Sequence, residues 1–390
     1  MTPSETLHII HLLSWFPTEE NPSFGNFCLR HIEAVSSSCH SVVVTTHLKN
    51  DMTQKRDIQI KKEKNYTHVS VYVKSIRTFP FFKKQINKLR LYKAYDFAYK
   101  YIKKHIFKPD LIHLHVALPL GRIALYWKYK YGIPYVLTEH WTIYLEQNKQ
   151  FGPKKIPHRI LRIANHASLI LPVNENLKIN MQQCGIKTPF TVVPNVTDTD
   201  LFTIKDKNPS QKKQMLHVST LYDRQKNISG LLRTIHRLYE KRQDFVLNII
   251  HNYKRPAFEK YVIENHLNDC VIFHGRKTEK EIVNYYQQAD FFVLFSNFEN
   301  LPCVILESFA CGLPVISTKV GEVPYIINSE RGRLIDVGDE EALYNEINFM
   351  LDHYTEFSKQ DIRTYALEHY AKEKIEYQIL NAYHRCLQNI

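Results

Sequence analysis

Apolar residues occupy every position of one short stretch, which predicts the central strand of a sheet. Phe291 to Phe295 contains no polar side chain, as is typical of a parallel strand covered on both faces. A polar loop, residues 296–300, follows. Pro302 then stands where the first turn of a helix tolerates a missing N–H group, and Gly312 stands where a helix ends in the left-handed conformation. The pattern predicts strand, loop, short helix and strand.

Similar apolar runs alternate with helical stretches along the rest of the chain. Asp206–Gln214 is polar and predicts a linker. A chain of 390 residues, 44% of them hydrophobic, is long enough for two domains with their own cores. The alternation predicts two doubly wound α/β domains. Further strands are predicted at residues 8–15, 41–46, 68–76, 111–114, 134–138, 215–220, 245–251 and 314–318.

Two carboxylates accompany the short helix that follows the central strand. A helix N-terminus presents free N–H groups and a positive dipole, so a diphosphate fits near Asn300 and Leu301. Glu307 lies about five residues further along, roughly 7 Å at the helical rise. An ionised carboxylate accepts hydrogen bonds from both hydroxyls of a ribose diol. Glu299, before the helix, would face a group on the other side of the diphosphate, and a sugar suits it.

Three segments carry a resemblance to a known family. SNFENLPCVILESFACGLPVI resembles the E-x7-E segment of the retaining GT-B glycosyltransferases of family 4. FTVVPNVTDTDLF resembles their V-x-P-N-G-V-D-x-x-x-F segment, and STLYDRQKN their G-x-L-x-x-x-K-N segment. The resemblance covers nearly the whole chain and implies two Rossmann-like domains facing a central cleft. The acceptor-side domain would cover residues 1–204 and the nucleotide-sugar domain residues 205–372, with a helix at about 373–390 packing back on the first.

The resemblance also implies a reaction and its residues. A sugar would pass with retention from a UDP- or GDP-sugar to an acceptor hydroxyl, with Glu299 on the sugar and Glu307 on the ribose. Arg224 and Lys226 would balance the charge of the leaving diphosphate, so no metal and no cofactor are expected. The leaving phosphate would help to deprotonate the acceptor. Other donor-side contacts are expected from Asn300, Leu301, Gly275, Arg276 and Gly25.

The first domain supplies the remaining candidate residues. Family members place a histidine after the strand at residues 134–138, so His140 is expected near the transferred sugar. His115 and Glu139 also follow strand ends and are expected on the acceptor side of the cleft. Strand alternation separates His113 from His115 by two residues, and the Asp198–Asp200 motif lies in a boundary loop. No metal site is predicted from either.

Positive charge is concentrated in one segment. Lys74–Lys108 holds eleven basic residues against Asp96, a local balance of eleven minus one, or +10, in a chain of net charge +13. Aromatic and aliphatic residues are interleaved with them. A basic helix with such a face is typical of contact with an anionic membrane, and an ordinary amphipathic helix with solvated lysines is the alternative. Nucleic acid is not expected, since no reading module accompanies the charge.

The cysteines and the first residues of the chain indicate the location and the class of the protein. Seven cysteines without paired spacing indicate reduced thiols in a cytoplasmic protein. The first residues lack the basic start of a signal peptide. We therefore expect a cytoplasmic protein, peripheral at the inner face of the cell membrane if the basic segment binds lipid, with a lipid-linked or polysaccharide glycan as acceptor. Two alternatives stay open, a nucleotide-sugar epimerase on the same fold and a non-catalytic basic scaffold.

Overall fold

The computed structural model describes residues 6–17, 24–76, 82–146, 155–253 and 256–388. Parts of three predicted features lie outside these residues: the loop before Gly25, the start of the basic segment, and the last residues of the helix predicted at 373–390. The described chain forms two α/β units, each with its own sheet and core. This confirms the predicted fold class.

Strands and helices alternate through most of the chain. The strands are β1 (His8–Leu13), β2 (His40–Lys49), β3 (Arg56–Lys62), β4 (Thr67–Lys74), β5 (Leu111–His115), β6 (Tyr135–Glu139), β7 (Leu169–Pro172), β8 (Lys213–Ser219), β9 (Phe245–His251), β10 (Val271–Gly275), β11 (Phe291–Leu294), β12 (Val315–Thr318) and β13 (Gly332–Ile335). The helices are α1 (Asn26–Val35), α2 (Lys83–His105), α3 (Gly121–Tyr131), α4 (His158–His166), α5 (Glu175–Gln183), α6 (Asp223–Lys226), α7 (Ile228–Tyr239), α8 (Pro256–Glu264), α9 (Glu279–Gln288), α10 (Cys303–Ala310), α11 (Val323–Ile326), α12 (Glu340–His353), α13 (Lys359–Tyr370) and α14 (Lys372–Gln388).

The first unit is built on a seven-stranded sheet of order β3-β4-β2-β1-β5-β6-β7. It comprises Met1–Val173, Lys178–Val193 and Glu376–Ile390. All neighbouring strands are parallel except β3, which runs antiparallel to β4. β5 and β6 are buried at every position, as expected for strands covered on both faces. The sequence analysis did not predict β3, because this edge strand is largely polar and exposed.

The second unit is built on a six-stranded parallel sheet of order β10-β9-β8-β11-β12-β13. It comprises Asn174–Leu177 and Pro194–Ile375. Its core joins the apolar faces of α7 and α12 to the strands. The predicted unit of strand, loop, short helix and strand is β11, α10 and β12, and Gly312 follows α10 in the left-handed conformation, at φ 71°.

The observed division of the chain falls at Val193 and Pro194, whereas the sequence analysis placed it after residue 204. The intervening segment is bonded to the second unit. Asn195 Nδ2 donates to the Leu301 carbonyl over 2.9 Å, and Arg363 donates to the carbonyls of Thr199 and Phe202 over 2.9 and 2.7 Å. These bonds explain why the segment belongs with the residues that follow it.

The basic segment contains α2, which covers one face of the first sheet. Ala94, Tyr95, Ala98, Tyr99 and Ile102 are buried, and the helix contacts β2 and β4. Tyr95 and Tyr99 therefore belong to the domain core, although the sequence analysis counted them with the aromatic face. Within the described residues no helix is long and apolar enough to cross a membrane.

Candidate functional site

The strand order of the second sheet reverses between β8 and β11. β9 and β10 lie on one side of β8, while β11, β12 and β13 lie on the other. Open α/β sheets bind ligands at such a switch point, outside the carboxyl ends of the strands. The loops after β8 and β11 are bonded together there. The Asn297 N–H donates to the Gln225 carbonyl over 2.7 Å, and Asn297 Nδ2 donates to the Arg224 carbonyl over 3.0 Å.

A buried ion pair joins the same two loops. Lys226 Nζ donates to Glu299 Oε1, and the two side chains are only 12% and 7% exposed. Ser296 Oγ donates to the same oxygen over 2.8 Å, and Gln225 Nε2 donates to Glu299 Oε2 over 3.2 Å. The structure thus brings together two residues predicted from separate motifs. Sequence reasoning had not included Gln225 and Ser296, although Ser296 is the first residue of the resembling segment.

Arg224, the other predicted cation, has a different environment. It lies in α6, a single turn that ends where Asn227 takes φ 48° and caps α7. Its side chain is exposed, and its guanidinium makes no ion pair with any residue that the structure describes. One cation of the predicted pair is therefore held in place beside Glu299, and the other is free to turn toward a ligand.

Glu307 is held inside α10. Its side chain is 8% exposed, and Tyr286 on α9 donates from its hydroxyl to Glu307 Oε2 over 3.0 Å. Burial, and secondly the nearby Glu307 carboxylate, raise the pKa of the Cys311 thiol to about 12. Tyr286 was not predicted as a site residue, because no local pattern connects it to a carboxylate 21 positions away.

The loop that carries Glu299 packs tightly against a glycine. Gly321 has φ 54°, and a Cβ at this position would lie 2.2 Å from the Glu299 carbonyl oxygen. The neighbouring Glu322 N–H donates to the Asn300 carbonyl over 3.0 Å. Only glycine allows this approach, so the turn after β12 fixes the backbone of Glu299, Asn300 and Leu301 from one side.

Gly275 ends β10 and Arg276 follows it, at the same edge of the sheet. β9 lies between β10 and β8, so the two residues are about 10 Å from β8 by the spacing of strands. Gly275 has φ 66°, and the space next to its Cα is open. The geometry leaves room for a ligand to approach the backbone there, at some distance from Lys226.

The first sheet has its own switch point, between β1 and β5. The loops after these strands are bonded through Ser14, whose hydroxyl donates to the Val116 carbonyl over 3.0 Å. Val116 is β-branched and yet has φ 66°, a strained conformation that clusters at functional sites. Gly25 has φ 77°, and a Cβ would lie 2.5 Å from the Trp15 carbonyl oxygen. The loop itself therefore requires a glycine at position 25, whether or not a ligand approaches.

Glu139 fixes the backbone around His140. It is fully buried, and its Oε1 accepts from the N–H groups of His140 and Trp141 over 3.0 and 3.1 Å. Its Oε2 accepts from the Ala117 N–H over 3.1 Å and from the Tyr144 hydroxyl over 3.0 Å. Burial raises the pKa of Glu139 to about 7. The sequence analysis placed Glu139 on the acceptor side, whereas in the structure its carboxylate is enclosed and accepts hydrogen bonds from the backbone N–H groups of the neighbouring loops.

A cluster of histidines lies under this edge of the first sheet, and His115 is part of it. His113 Nδ1 lies 2.6 Å from the Tyr383 hydroxyl, and His113 Nε2 lies 2.6 Å from Thr138 Oγ1. His115 Nε2 lies 3.5 Å from His11 Nδ1. The His115 side chain is fully buried, so it presents no surface to an acceptor, where the sequence analysis had placed it. His140 is 9% exposed, and its ring lies 4.7 Å from that of Phe27.

Two sets of side chains in this cluster have donor atoms close enough for a metal ion. They are His11, His113 and His115, and Cys28, His115 and His140, with all donor atoms of a set within 4.8 Å of one another. In the first set both nitrogens of His113 lie within hydrogen-bond distance of hydroxyl groups, whereas the buried His115 Nδ1 has no hydrogen-bond partner within the described residues. The candidate site residues that the structure describes therefore form two groups, one in each unit.

Comparison with known proteins gives the same class for both units. The family model described as "Glycosyl transferases group 1" matches residues 174–368, and the model described as "Glycosyltransferase Family 4" matches residues 25–201. An uncharacterized glycosyltransferase of Methanocaldococcus jannaschii is 25% identical over 78% of this chain and 83% of its own length. The putative teichuronic acid biosynthesis glycosyltransferase TuaC of Bacillus subtilis is 27% identical over 64% of this chain and 63% of its own length.

Solved structures share the fold. Sucrose-phosphate synthase from Thermosynechococcus elongatus superposes with a TM-score of 0.78 at 19% identity, over 98% of this chain and 100% of that chain. Anabaena HepE, solved in complex with UDP and glucose, superposes with a TM-score of 0.71 at 16% identity, over 96% and 99% of the two chains. The match of a family model to half of the chain, with the same fold in both units, shows that the chain belongs to the group 1 glycosyl transferases, which have the GT-B fold.

Proposed function

We propose that the chain transfers a sugar, with retention of configuration, from a UDP- or GDP-linked donor to a hydroxyl of a lipid-linked or polysaccharide glycan in bacterial surface polysaccharide synthesis. The observation that carries the proposal is the buried Lys226–Glu299 pair at the β8–β11 switch point. Two similarities support it: the HepE structure contains UDP and glucose, and the relative TuaC is named for teichuronic acid biosynthesis.

The charges at the switch point suit a nucleoside diphosphate sugar. Lys226 and the exposed Arg224 are the cations available to the diphosphate, and their charge would stabilise the negative charge that grows on it as the sugar leaves. Glu299 would accept hydrogen bonds from sugar hydroxyls, and Glu307, held by Tyr286, would accept them from the ribose. Because cations of the chain serve the diphosphate, we propose that no metal is required.

In the first unit, Glu139 would hold His140 toward the transferred sugar through the His140 N–H. No side chain is assigned as general base, because the leaving phosphate can take the proton of the acceptor hydroxyl.

We further propose a cytoplasmic protein that touches the anionic membrane peripherally through residues 74–108. Phe82 and Leu89 are 63% and 58% exposed, next to the exposed Lys83, Lys84 and Lys88. Vesicles of phosphatidylglycerol should bind the protein at low salt. A Phe82→Ala/Leu89→Ala variant should bind them more weakly, and equal binding of both proteins would refute this membrane contact.

A thermal-shift screen tests the donor site. UDP, GDP, ADP and CDP are each added with EDTA or with magnesium, and a ligand at 100 times its Kd stabilises by about 2.7 kcal/mol. We expect one diphosphate to raise the melting temperature equally in EDTA and in magnesium. Glu307→Ala should abolish the shift, whereas Glu264→Ala, at an exposed position of α8, should keep it. If none of the four nucleotides raises the melting temperature, the proposed function is refuted.

Stereochemistry tests the reaction itself. With the donor base known, the product formed from the α-linked nucleotide sugar can be followed by proton NMR, in which the anomeric coupling distinguishes the α- from the β-glycoside. Retention gives the α-product. A β-product would contradict the retaining mechanism, and isomerisation of the sugar nucleotide without an acceptor would indicate an epimerase.

A further inference from the structure

Two adjoining cavities of the first unit form a continuous basic surface, here called the arginine trough. The larger cavity, about 590 Å³, is lined by Arg122, Tyr126 and Tyr129 of α3 and by Arg159 and Arg162 of α4. The smaller, about 280 Å³, shares Arg122 and Arg159 and adds Trp15, Lys88, Tyr92 and Trp141. The shared arginines make the two cavities one surface.

Helical geometry sets the lining side chains in a row. Arg122, Tyr126 and Tyr129 are spaced by four and three residues, so they share one face of α3, and the row is about 10 Å long at the helical rise. Arg159 and Arg162, three residues apart, share a face of α4. The helices are close because Gly121 lies against Ile163, where a Cβ would come within 2.6 Å of the Ile163 side chain.

The arginines of the trough have no counterion among the described residues. Arg122, Arg159 and Arg162 are exposed, and their guanidinium groups make no ion pair within the described residues. No carboxylate of the described residues lines either cavity. By contrast, Arg233, Arg237 and Arg242 are paired with Glu340, Glu341 and Asp352. Among the residues that the structure describes, this concave surface carries four cations and no anion, which suits an acidic ligand.

The trough begins beside the switch point of the first sheet. Trp15 follows β1, Pro119 follows β5 and Trp141 follows β6, so the smaller cavity lies at the carboxyl edge of these strands. Trp15 packs edge-on against Trp141, with ring centroids 5.8 Å apart. Trp141 directly follows His140. The larger cavity leads away from this edge between the outer faces of α3 and α4.

We propose that the arginine trough binds the acceptor glycan and selects one that carries acidic groups, carboxylates or phosphates, beyond the sugar that is extended. The proposal rests on the proposed function and names the class of its acceptor. Guanidinium groups match carboxylate and phosphate oxygens in pairs. Tyrosine and tryptophan rings offer flat, amphipathic faces against which sugar rings pack. Arg122, Arg159 and Arg162 bind the acidic groups, and Tyr92, Tyr126 and Tyr129 contact the sugars between them.

The lining fits a glycan better than a membrane or a nucleic acid. The exposed aliphatic and phenylalanine side chains that would enter a lipid surface, Phe82 and Leu89, do not line the trough. A membrane is also a flat partner, whereas the trough is a recess of limited length. Single-stranded nucleic acid needs a groove that follows its backbone over several nucleotides.

Binding of defined oligosaccharides tests the proposal. Tetragalacturonate, which has one carboxylate per sugar, is titrated by calorimetry against neutral maltotetraose, with UDP present and at two salt concentrations. The test variant is Arg122→Gln/Arg159→Gln/Arg162→Gln. The matched control is Lys55→Gln/Lys62→Gln/Lys64→Gln, which removes the same charge from exposed positions of the first unit outside both cavities and outside residues 74–108. Equal melting temperatures and equal UDP shifts establish that both variants are folded.

We expect the wild type to bind the acidic tetrasaccharide at least tenfold more tightly than the neutral one, with the preference shrinking in salt. The trough variant should lose the preference, and the control should stay within twofold of the wild type. Equal affinity for the two sugars, or an unchanged trough variant, would overturn the proposal. The proposal would also be overturned if the wild type bound phosphatidylglycerol vesicles or a thymidine oligonucleotide more tightly than tetragalacturonate, and if the trough variant lost that binding. If none of UDP, GDP, ADP and CDP shifted the melting temperature, that result would count against the proposed function and not against the trough.

Discussion

At the residue scale, the molecule keeps several charged side chains in its interior and gives each a partner. Lys207 Nζ lies 2.6 Å from Asp290 Oδ2, with side chains 20% and 2% exposed, and Lys226 is paired with Glu299 at the switch point. Such pairs add little net stability, because desolvation of both ions offsets their attraction. Their effect is to fix positions, and Lys226 and Glu299 are thereby pre-positioned where a donor is expected.

Removal of one ion of this pair should cost stability, and removal of both should restore it. Lys226→Met leaves a buried carboxylate without its cation, so we expect a loss of about 3 kcal/mol in the free energy of unfolding. Lys226→Met/Glu299→Gln should recover most of that loss and remain inactive. Urea unfolding and a donor-turnover assay measure the two quantities. Lys319→Met, which breaks the exposed pair with Asp336, should cost at most about 1 kcal/mol. A double variant no more stable than the single one would refute the explanation.

At the element scale, the turns after strand ends determine where the site residues lie. Gly321, in the turn after β12, touches the Glu299 carbonyl, and the turn is continued by the bond from the Glu322 N–H to the Asn300 carbonyl. The loop before α10 therefore depends on a residue of another turn. A change at Gly321 should alter the site without altering the sheet.

Gly321→Ala should move the loop that carries Glu299. A Cβ would lie 2.2 Å from the Glu299 carbonyl oxygen and 2.6 Å from that of Asn300, and φ 54° is itself unfavourable for alanine. We expect loss of the nucleotide-induced thermal shift with a circular dichroism spectrum like that of the wild type. Gly338→Ala is the matched control, since Gly338 has φ 78° with open space around it. Retained nucleotide binding in Gly321→Ala would contradict this account.

The strands β1 and β5 carry buried histidines that should make the protein sensitive to acid. Burial lowers the pKa of His11 to about 3, and burial first, then neighbouring histidines, hold the pKa of His113 and His115 well below the ordinary value. In the unfolded chain these groups take up protons near pH 6.5, while in the folded protein they stay neutral. The contribution of these histidines to the free energy of unfolding is therefore fully present above about pH 6.5, and it is lost as the pH falls below that value.

His11→Gln should reduce this dependence. One histidine that is neutral in the fold and charged in the unfolded chain contributes about 1.4 kcal/mol per pH unit to the slope of the unfolding free energy. We expect a shallower slope between pH 6 and pH 4 in urea titrations of the variant, and an unchanged slope in His105→Gln, at an exposed position. Burial raises the pKa of Glu139 to about 7. This carboxyl therefore stabilises the folded state as the pH falls, opposite to the histidines, and it does so in the wild type and in both variants. An equal slope for His11→Gln would show that His11 titrates in the fold.

The elements with strong local patterns could be predicted from the sequence, and the contacts between them could not. β9 has its predicted bounds, and α10 lies between Pro302 and Gly312 as expected, because apolar runs and breakers are local signals. β3 was missed because pairing with β4, not its own polar pattern, makes it a strand. In the site, the motifs supplied Lys226, Glu299 and Glu307. The hydrogen bonds from Tyr286 and Gln225 and the close approach of Gly321 join distant segments and leave no pattern in the sequence.

At the scale of the whole molecule, the chain leaves the first unit and returns to it. Residues 376–390 belong to the first unit, although the whole of the second unit precedes them in the sequence. Tyr383 of α14 is fully buried there, with its hydroxyl 2.6 Å from His113 Nδ1. The interior of the first unit is therefore completed by a helix that follows the second unit in sequence.

Tyr383→Phe should weaken the first unit alone. The change leaves a buried imidazole nitrogen without its hydroxyl partner, at a cost of about 1–3 kcal/mol. We expect faster hydrogen exchange, followed by mass spectrometry, in peptides from β1 and β5, and unchanged exchange in peptides from β8 and β11. Tyr377→Phe, at a position of α14 that is 67% exposed, is the control. Equal acceleration in both sheets would show that the two units unfold together.

The bond between His113 and Tyr383 spans 270 positions, and this has a consequence for the making of the protein. A ribosome adds about 5–20 residues per second, so tens of seconds separate the synthesis of the two partners. During that time the first sheet exists without the helix that covers His113, while the residues of the second unit are already emerging. Nascent chains should therefore hold an unfinished first unit exposed to chaperones and proteases until α14 leaves the exit tunnel. Chains interrupted before Tyr383 should be cleared from the cell even when their second unit is intact.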